Sequence, residues 1–366
     1  MAGAQMPRSD APPADGGLVF YGLGATGQKI LDELLAKRIA VDLILDRGKR
    51  GQQHHGIPIL ALDDLNEGQI AGRTVLIGLH NHYVDVKALH NELLAAGAKR
   101  VLTPINLPDI AGEGQAIGGY WLDPSFDYGV HDADFARLRL LLADDKSRDL
   151  LDSILRYRRS GNLADCPEAS LTDEYVPADL PRYAGPLKVI DCGAFTGVAI
   201  HKLLKAGYAL DSFVAFEPDP ESFKTLAGRN FPARRALCLP LGTWSETAQL
   251  RFSSDGSMGS CLSEQGDVVI QCVAIDDVLH GEPVNLVKLD VEGAEIATLQ
   301  GMERIIRDQR PNLLLSAYHT PGHLYEIADL IDGWQLGYRF HLRVHEYNTF
   351  GVVLYCFRDE LLDRAV

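Results

Sequence analysis

The segment that most constrains this chain is Val189-Ile-Asp-Cys-Gly-Ala-Phe-Thr-Gly197, in which an apolar strand runs straight into a glycine turn. A second apolar run, Val214-Ala-Phe, closes on Glu217, and a third, Val287-Lys-Leu, closes on Asp290. Successive strands that end on carboxylates beside a glycine turn are how a doubly wound sheet builds a nucleoside site along its carboxyl edge. Glycines let the backbone approach a ligand, and a strand-end acid accepts hydrogen bonds from ribose hydroxyls. The spacing Asp191-x-Gly193-x-x-x-Gly197 departs from Gly-x-Gly-x-x-Gly and so points away from a dinucleotide. Asp191, Gly193, Ala194 and Gly197 are the expected cofactor loop. Glu217, held by the following Pro218, is the expected ribose ligand, because an ionised carboxylate offers only acceptors.

The N-terminal part carries its own glycine motif. Leu18-Val-Phe-Tyr reads as a strand, Gly22-Leu-Gly24-Ala-Thr-Gly27 follows, and Ile30, Leu31, Leu34 and Leu35 recur at helical spacing. Asp46 closes the next strand, Val41 to Asp46. This is the context a dinucleotide fingerprint requires, so an NAD(P) site and an oxidoreductase form one rival reading. Strands at Gly56 to Leu60, Thr74 to Gly78 and Arg100 onward, with a helix over Leu89 to Ala96, complete a small parallel α/β domain.

The C-terminal half, about residues 186 to 357, resembles the FkbM-type S-adenosylmethionine-dependent methyltransferases. The resemblance rests on Val189-Ile-Asp-Cys-Gly-Ala, Phe216-Glu-Pro-Asp, Leu241-Gly-Thr-Trp-Ser-Glu-Thr, Val273-Ala-Ile-Asp-Asp-Val-Leu and above all Lys288-Leu-Asp-Val-Glu-Gly-Ala-Glu295. Gly301, Tyr318-His319, Arg343 and His345 also fit. The family often has an acid shortly after the Tyr-His pair, where this chain has Gly322-His323. The resemblance implies a class I methyltransferase Rossmann-like sheet, S-adenosylmethionine as cofactor, Gly242 in a turn beside the adenine, and methylation of a hydroxyl on a sugar or natural product. The N-terminal domain resembles the nucleotide-sugar-binding domain of PglD-type sugar acyltransferases. It does so through Val19 to Gln28, Asp46, Gly56-Ile-Pro-Ile-Leu and Ile77-Gly-Leu-His-Asn-His82. That implies a nucleotide or nucleotide-sugar site at Gly22, Gly24, Gly27, Asp46, His80, Asn81 and His82; an empty scaffold is the plainer alternative.

A hydroxyl acceptor needs a base, and the candidates are Asp290, Glu292 and His319. Asp290 and Glu292 share one face if the strand end stays extended. Alternatively, Asp290 caps a helix starting near Gly293, with Glu292 and Glu295 favoured by its dipole. His319 follows the strand Leu313 to Ser316, at the same edge. A divalent metal at Asp290 and Glu292 is an alternative but not the expected one. His341 and His345 on one strand stand about 13 Å apart, too far to share an ion.

The remaining bounds come from length and composition. A chain of 366 residues suggests two domains. The expected organisation is a disordered tail over 1–16, a Rossmann-like domain over 17–126, a helical linker over 127–182 and the methyltransferase domain over 183–366. Leucines at helical spacing, from Phe135 to Leu142 and from Leu150 to Leu155, place two helices in the linker. A formal net charge of −15 argues against a nucleic-acid partner. Six scattered cysteines without a Cys-x-x-Cys pair suit reduced thiols. With no signal-like or membrane-length apolar run, a cytoplasmic protein with a small-molecule acceptor and no membrane partner is expected; a homo-oligomer is compatible with this. A third class, a non-catalytic protein that binds S-adenosylmethionine or a nucleotide sugar, is opposed by the intact glycine loop and acids.

Overall fold

The computed structural model describes residues 17–66, 68–112, 119–123, 125–253, 261–262 and 268–363. The expected tail and residues 254–260 and 263–267 lie outside them. The described residues form two compact units. The first takes in Met1–Gly129, Asp152–Glu168 and Glu346–Phe350, and the second Val130–Leu151, Ala169–His345 and Gly351–Val366.

In the first unit, β1 (Leu18–Tyr21) leads into α1 (Ala25–Ala36). β2 (Val41–Leu45), β3 (Gln53–His54), β4 (Ile57–Leu60) and β5 (Thr74–Ile77) follow, then α2 (Val86–Ala95), β6 (Arg100–Leu102) and α3 (Leu107–Ala111). The sheet order is β3-β4-β2-β1-β5-β6. Only the pairing of β3 with β4 is antiparallel. Helix α2 starts a turn earlier than the apolar spacing suggests, because the Asp85 side chain accepts a hydrogen bond from Ala88 N at 2.9 Å and caps it. The core joins Ile30, Leu31 and Leu34 of α1 to Phe20, Ile44 and Leu76 of the strands. Removing side chains of this size from water contributes about 1.5–3 kcal/mol each.

Helices α4 (Asp132–Leu141) and α5 (Asp145–Ser160) occupy the expected helical stretch, and the division between units falls within α5. The second unit then runs β7 (Leu187–Cys192), α6 (Val198–Lys205), β8 (Leu210–Phe216), α7 (Pro220–Ala227), β9 (Ala233–Leu239), β10 (Gly242–Thr243), β11 (Ala248–Ser253), β12 (Cys261–Leu262) and β13 (Val268–Val273). After α8 (Ile275–Val278) come β14 (Leu286–Leu289), α9 (Glu295–Gln300), α10 (Glu303–Gln309), β15 (Asn312–Ser316), α11 (His323–Gly333), β16 (Arg339–Val344) and β17 (Val352–Phe357). The main sheet has the order β16-β17-β15-β14-β7-β8-β9. It is parallel from β15 to β9, while β17 is antiparallel to both of its neighbours. The strand order reverses between β7 and β14, the position where doubly wound sheets bind ligands outside their carboxyl ends. Strands β10 to β13 form a separate four-stranded sheet. Among the described residues no helix is long and apolar enough to cross a membrane. Cys166, Cys192, Cys238, Cys272 and Cys356 are free thiols.

Candidate active site

Three acids converge at the reversal point because β7, β8 and β14 are adjacent and parallel. Gly193 N and Ala194 N both donate to Phe216 O at 3.0 Å, and Asp290 N donates to Cys192 O at 3.1 Å, lashing the glycine turn across the strand ends. Gly193 has φ +70, and a Cβ there would lie 1.8 Å from Asp290 O. Gly197, at φ +85, is the N-cap residue before α6, and a Cβ there would strike the Phe231 ring at 2.5 Å. Only glycine fits either position.

Glu217 is buried at the end of β8. Its Oε2 accepts from Phe195 N at 2.6 Å and its Oε1 from Asp219 N at 2.8 Å. Burial raises its pKa, and the two backbone donors oppose that rise. Each oxygen keeps lone pairs for a further donor, as a ribose diol requires. Pro218 is half-buried between Glu217 and Asp219, whose side chain caps α7. Asp191 differs from its expected place on the ligand surface. It is fully buried beneath the loop, 3.2 Å from Lys288 Nζ, and burial raises its pKa despite that lysine. Gly242 lies in strand β10 opposite Cys272 rather than in a turn. A Cβ there would fall 2.6 Å from Cys272 Sγ, which is why the position takes glycine.

On the other side of the switch point, parallel pairing of β14 with β15 brings His319 to Asp290 and Glu292. His319 Nε2 lies 3.5 Å from Asp290 Oδ1 and 3.4 Å from Glu292 Oε2, and its Nδ1 lies 2.8 Å from Glu295 Oε1. His323 Nδ1 lies 3.1 Å from the other Glu295 oxygen. The two acids do not meet on an extended strand. Strand β14 ends at Leu289, and Glu292 adopts φ +53 ahead of Gly293 at φ +102, so the backbone leaves the extended path between the two acids. Nor does Asp290 cap a helix, since α9 begins at Glu295 with no side-chain cap. Burial opposes charge on His319, but Glu295, Glu292 and Asp290 outweigh it and push its pKa up to about 10. Burial pushes Glu292 up to about 8, with His319 opposing. Glu295 is also buried, but the two histidines hold it well below the usual carboxylate range.

Three participants escape a reading by sequence. Lys288 is buried in the middle of β14, and its Nζ donates to Gly193 O at 2.6 Å beside Asp191, with Asp290 Oδ2 at 3.9 Å. Burial opposes its charge, yet Asp191 and Asp290 raise its pKa. A lysine inside an otherwise apolar strand was the available signal. Glu295 had only its place in the acidic run as a signal. Tyr175, whose hydroxyl donates to Asp290 Oδ2 at 3.3 Å, comes from the connector and had none.

The N-terminal motif adopts the fingerprint's backbone. Gly22 has φ +92, and a Cβ on Gly27 would lie 1.9 Å from Gly22 O, so α1 packs closely on the turn. Gly24 precedes α1 with no side-chain cap. Asp46 is engaged within the loop: its Oδ2 accepts from Leu23 N at 2.7 Å, and its Oδ1 accepts from Gly48 N and Lys49 N at 2.9 and 3.1 Å. The other candidates face the 346–350 segment of the same unit. His80 Nε2 lies 3.1 Å from Gly119 O, with its ring against Trp121 and Phe350, and burial lowers its pKa to about 4. Asn81 Oδ1 accepts from Tyr83 N and Val84 N, and Asn81 O accepts from Asn348 Nδ2 at 2.8 Å. His82 Nδ1 lies 3.3 Å from Glu346 Oε2. In the second unit, buried Arg343 binds Asp144, Asp179 and Ser147, and His345 binds Ser170 O and Tyr355.

A reversed parallel sheet, a glycine turn and strand-end carboxylates together define a Rossmann-like fold of the methyltransferase type. Residues 191–340 match the Methyltransferase FkbM domain. The fold of the chain matches the crystal structure of methyltransferase FkbM from Methylobacillus flagellatus KT with a TM-score of 0.74 over 93% of this chain and 89% of that chain, at 22% identity. No curated protein matches the sequence. Domain and fold together support methyltransferase activity.

Proposed function

We propose that this chain is an S-adenosylmethionine-dependent methyltransferase acting on a hydroxyl of a sugar or a similar polyol-like intermediate. The observation that carries the reading is Glu217, buried beside the glycine turn with both oxygens oriented by backbone donors and lone pairs to spare. Gly193, Ala194 and Gly197 shape the wall beside it, and no side chain is tolerated at Gly193. When bound, the cofactor supplies a methyl group already activated on a sulfonium. What is left to this protein is to align an acceptor, exclude water and accept a proton. Alignment contributes about 7–11 kcal/mol to lowering a barrier in favourable cases. Asp290, partly open to solvent and backed by Tyr175 and Lys288, stands where an acceptor hydroxyl would give up its proton. Oxygen as the acceptor atom is taken from the resemblance to the family, and a hydroxyl must lose a proton on methylation. The glycine loop of the first unit, where Lys49 Nζ donates to Leu23 O at 2.6 Å, is assigned to a nucleotide or nucleotide sugar bound within that unit.

The test is transfer of a labelled methyl group from S-adenosylmethionine to a panel of sugars and nucleotide sugars. Glu217→Ala is expected to abolish both transfer and cofactor binding in calorimetry. Unchanged cofactor affinity in that variant would remove Glu217 from the ribose role.

A further inference from the structure

Asp32, on the exposed side of α1, meets two imidazoles that come from one turn. His54 Nε2 lies 3.3 Å and His55 Nε2 2.9 Å from the same oxygen, Asp32 Oδ1. Neighbouring residues of a strand point to opposite faces, so the two rings converge only because His55 leaves the strand. β3 ends at His54, and His55 and Gly56 make the turn into β4 with φ +51 and +78. The two imidazole centroids stand 4.4 Å apart, with ring planes at 78°. Two successive positive φ values mark a hairpin turn that Asn-Gly fills well, so the backbone does not call for an imidazole at the first position. Two ring N–H groups aimed at one carboxylate oxygen compete for it, whereas a cation among the three groups would use them all. One ligand atom from each residue lies within 4.8 Å of those of the other two. Around a tetrahedral Zn²⁺ with bonds of about 2.0–2.2 Å, neighbouring ligand atoms stand about 3.3–3.6 Å apart. The His54 separation already matches that edge, and the exposed His55 side chain has room to swing out to it.

We propose that Asp32, His54 and His55 form a site for a divalent transition-metal ion in the first unit, with both Nε2 atoms and one Asp32 oxygen as ligands. Imidazole nitrogens select ions such as Zn²⁺, Ni²⁺ and Cu²⁺ over Mg²⁺ and Ca²⁺, which take oxygen ligands. On binding, each neutral imidazole presents its Nε2 lone pair and carries its proton on Nδ1 instead. Three protein ligands leave the fourth tetrahedral position to water. The ion ties α1 to the β3–β4 hairpin at the edge of the sheet, where β3 is the outermost strand. All three ligands belong to the first unit, so the site stands apart from the methyltransferase reading and from the acids around His319.

Calorimetric titration with Zn²⁺ tests this on the full chain, prepared without a histidine tag and stripped with a chelator. One Zn²⁺ per chain is expected to bind at micromolar concentration, and excess Mg²⁺ should not displace it. His55→Asn removes a ligand while giving the turn a residue it favours. Asp32→Asn and His54→Gln remove the other two ligands. Each change should weaken Zn²⁺ binding by at least the about 10- to 100-fold that the loss of an outer partner alone costs. In chelator the three variants should melt with the wild type, since no ion is then present to lose. A folded wild-type chain that binds no Zn²⁺ overturns the site and leaves two imidazoles hydrogen-bonded to one carboxylate. Affinity undiminished in His55→Asn and Asp32→Asn overturns it as well, by placing the ion elsewhere.

Discussion

Gly193 shows how much a single residue can decide. Its φ of +70 and the 1.8 Å that a Cβ would leave to Asp290 O join a conformational demand to a steric one. Gly193→Ala is therefore expected to cost more than the roughly 1–2 kcal/mol typical of a non-glycine residue in the left-handed region, because the turn and the Asp290 backbone must part. The change should reach the cofactor before the fold, so a fall in S-adenosylmethionine affinity of tenfold or more is expected in calorimetry. Wild-type affinity would mean that the loop does not touch the ligand. The place of Glu217 at the end of a buried strand was legible from the apolar run Val-Ala-Phe before it. Asp46 looked equivalent, yet its oxygens serve Leu23, Gly48 and Lys49 within the loop. Only the local hydrogen bonds separate the two.

Strand β14 carries the polar heart of the second unit in an apolar frame. Lys288 occupies its middle, bound to Gly193 O and next to Asp191, both groups cut off from water. Lys288→Met would leave the Asp191 carboxylate buried without its cation, and breaking such a pair costs about 3–5 kcal/mol. A loss of that size in urea unfolding is the expected outcome, together with weakened cofactor binding through the freed Gly193 carbonyl. A variant as stable as wild type would show that Asp191 takes up a proton instead. The strands, their order of appearance and their apolar faces were readable from period and turn residues. The helix after Asp290 was not, because Glu292 turns into the left-handed region and delays α9 to Glu295.

At the scale of the whole molecule, buried histidines set the acid limit of stability. Burial lowers His345 to about 4, and it is neutral, its Nδ1 directed at Ser170 O and its Nε2 at the Tyr355 hydroxyl. His80 in the first unit is lowered to about 4 by its burial against aromatic rings. In the unfolded chain a histidine binds its proton near pH 6.5. Between pH 6.5 and about 4 the unfolded state therefore takes up protons that the folded state refuses, and stability falls as pH falls through that window. For His345 the loss amounts to roughly 3 kcal/mol on full traverse. Urea unfolding at pH 7, 5.5 and 4 measures it, and His345→Gln should flatten the slope; an unchanged slope would assign acid sensitivity to other groups.

The sequence by itself determined the class of sheet, the glycine turns and the acids at strand ends. Those properties are local: a period of two or of 3.6, a residue without a Cβ, and a carboxylate closing an apolar run act within one element. Only the tertiary structure decided which of these groups meet. His319 is 29 positions from Asp290 and Tyr175 is 115, and neither distance along the chain says that parallel pairing of β14 with β15, or the path of the connector, brings them together. It likewise decided that Asp191 lies under the loop against Lys288, and that Asn81 and His82 hold the 346–350 segment. A side chain's freedom to serve a ligand depends on what packs around it, and packing joins residues far apart in sequence.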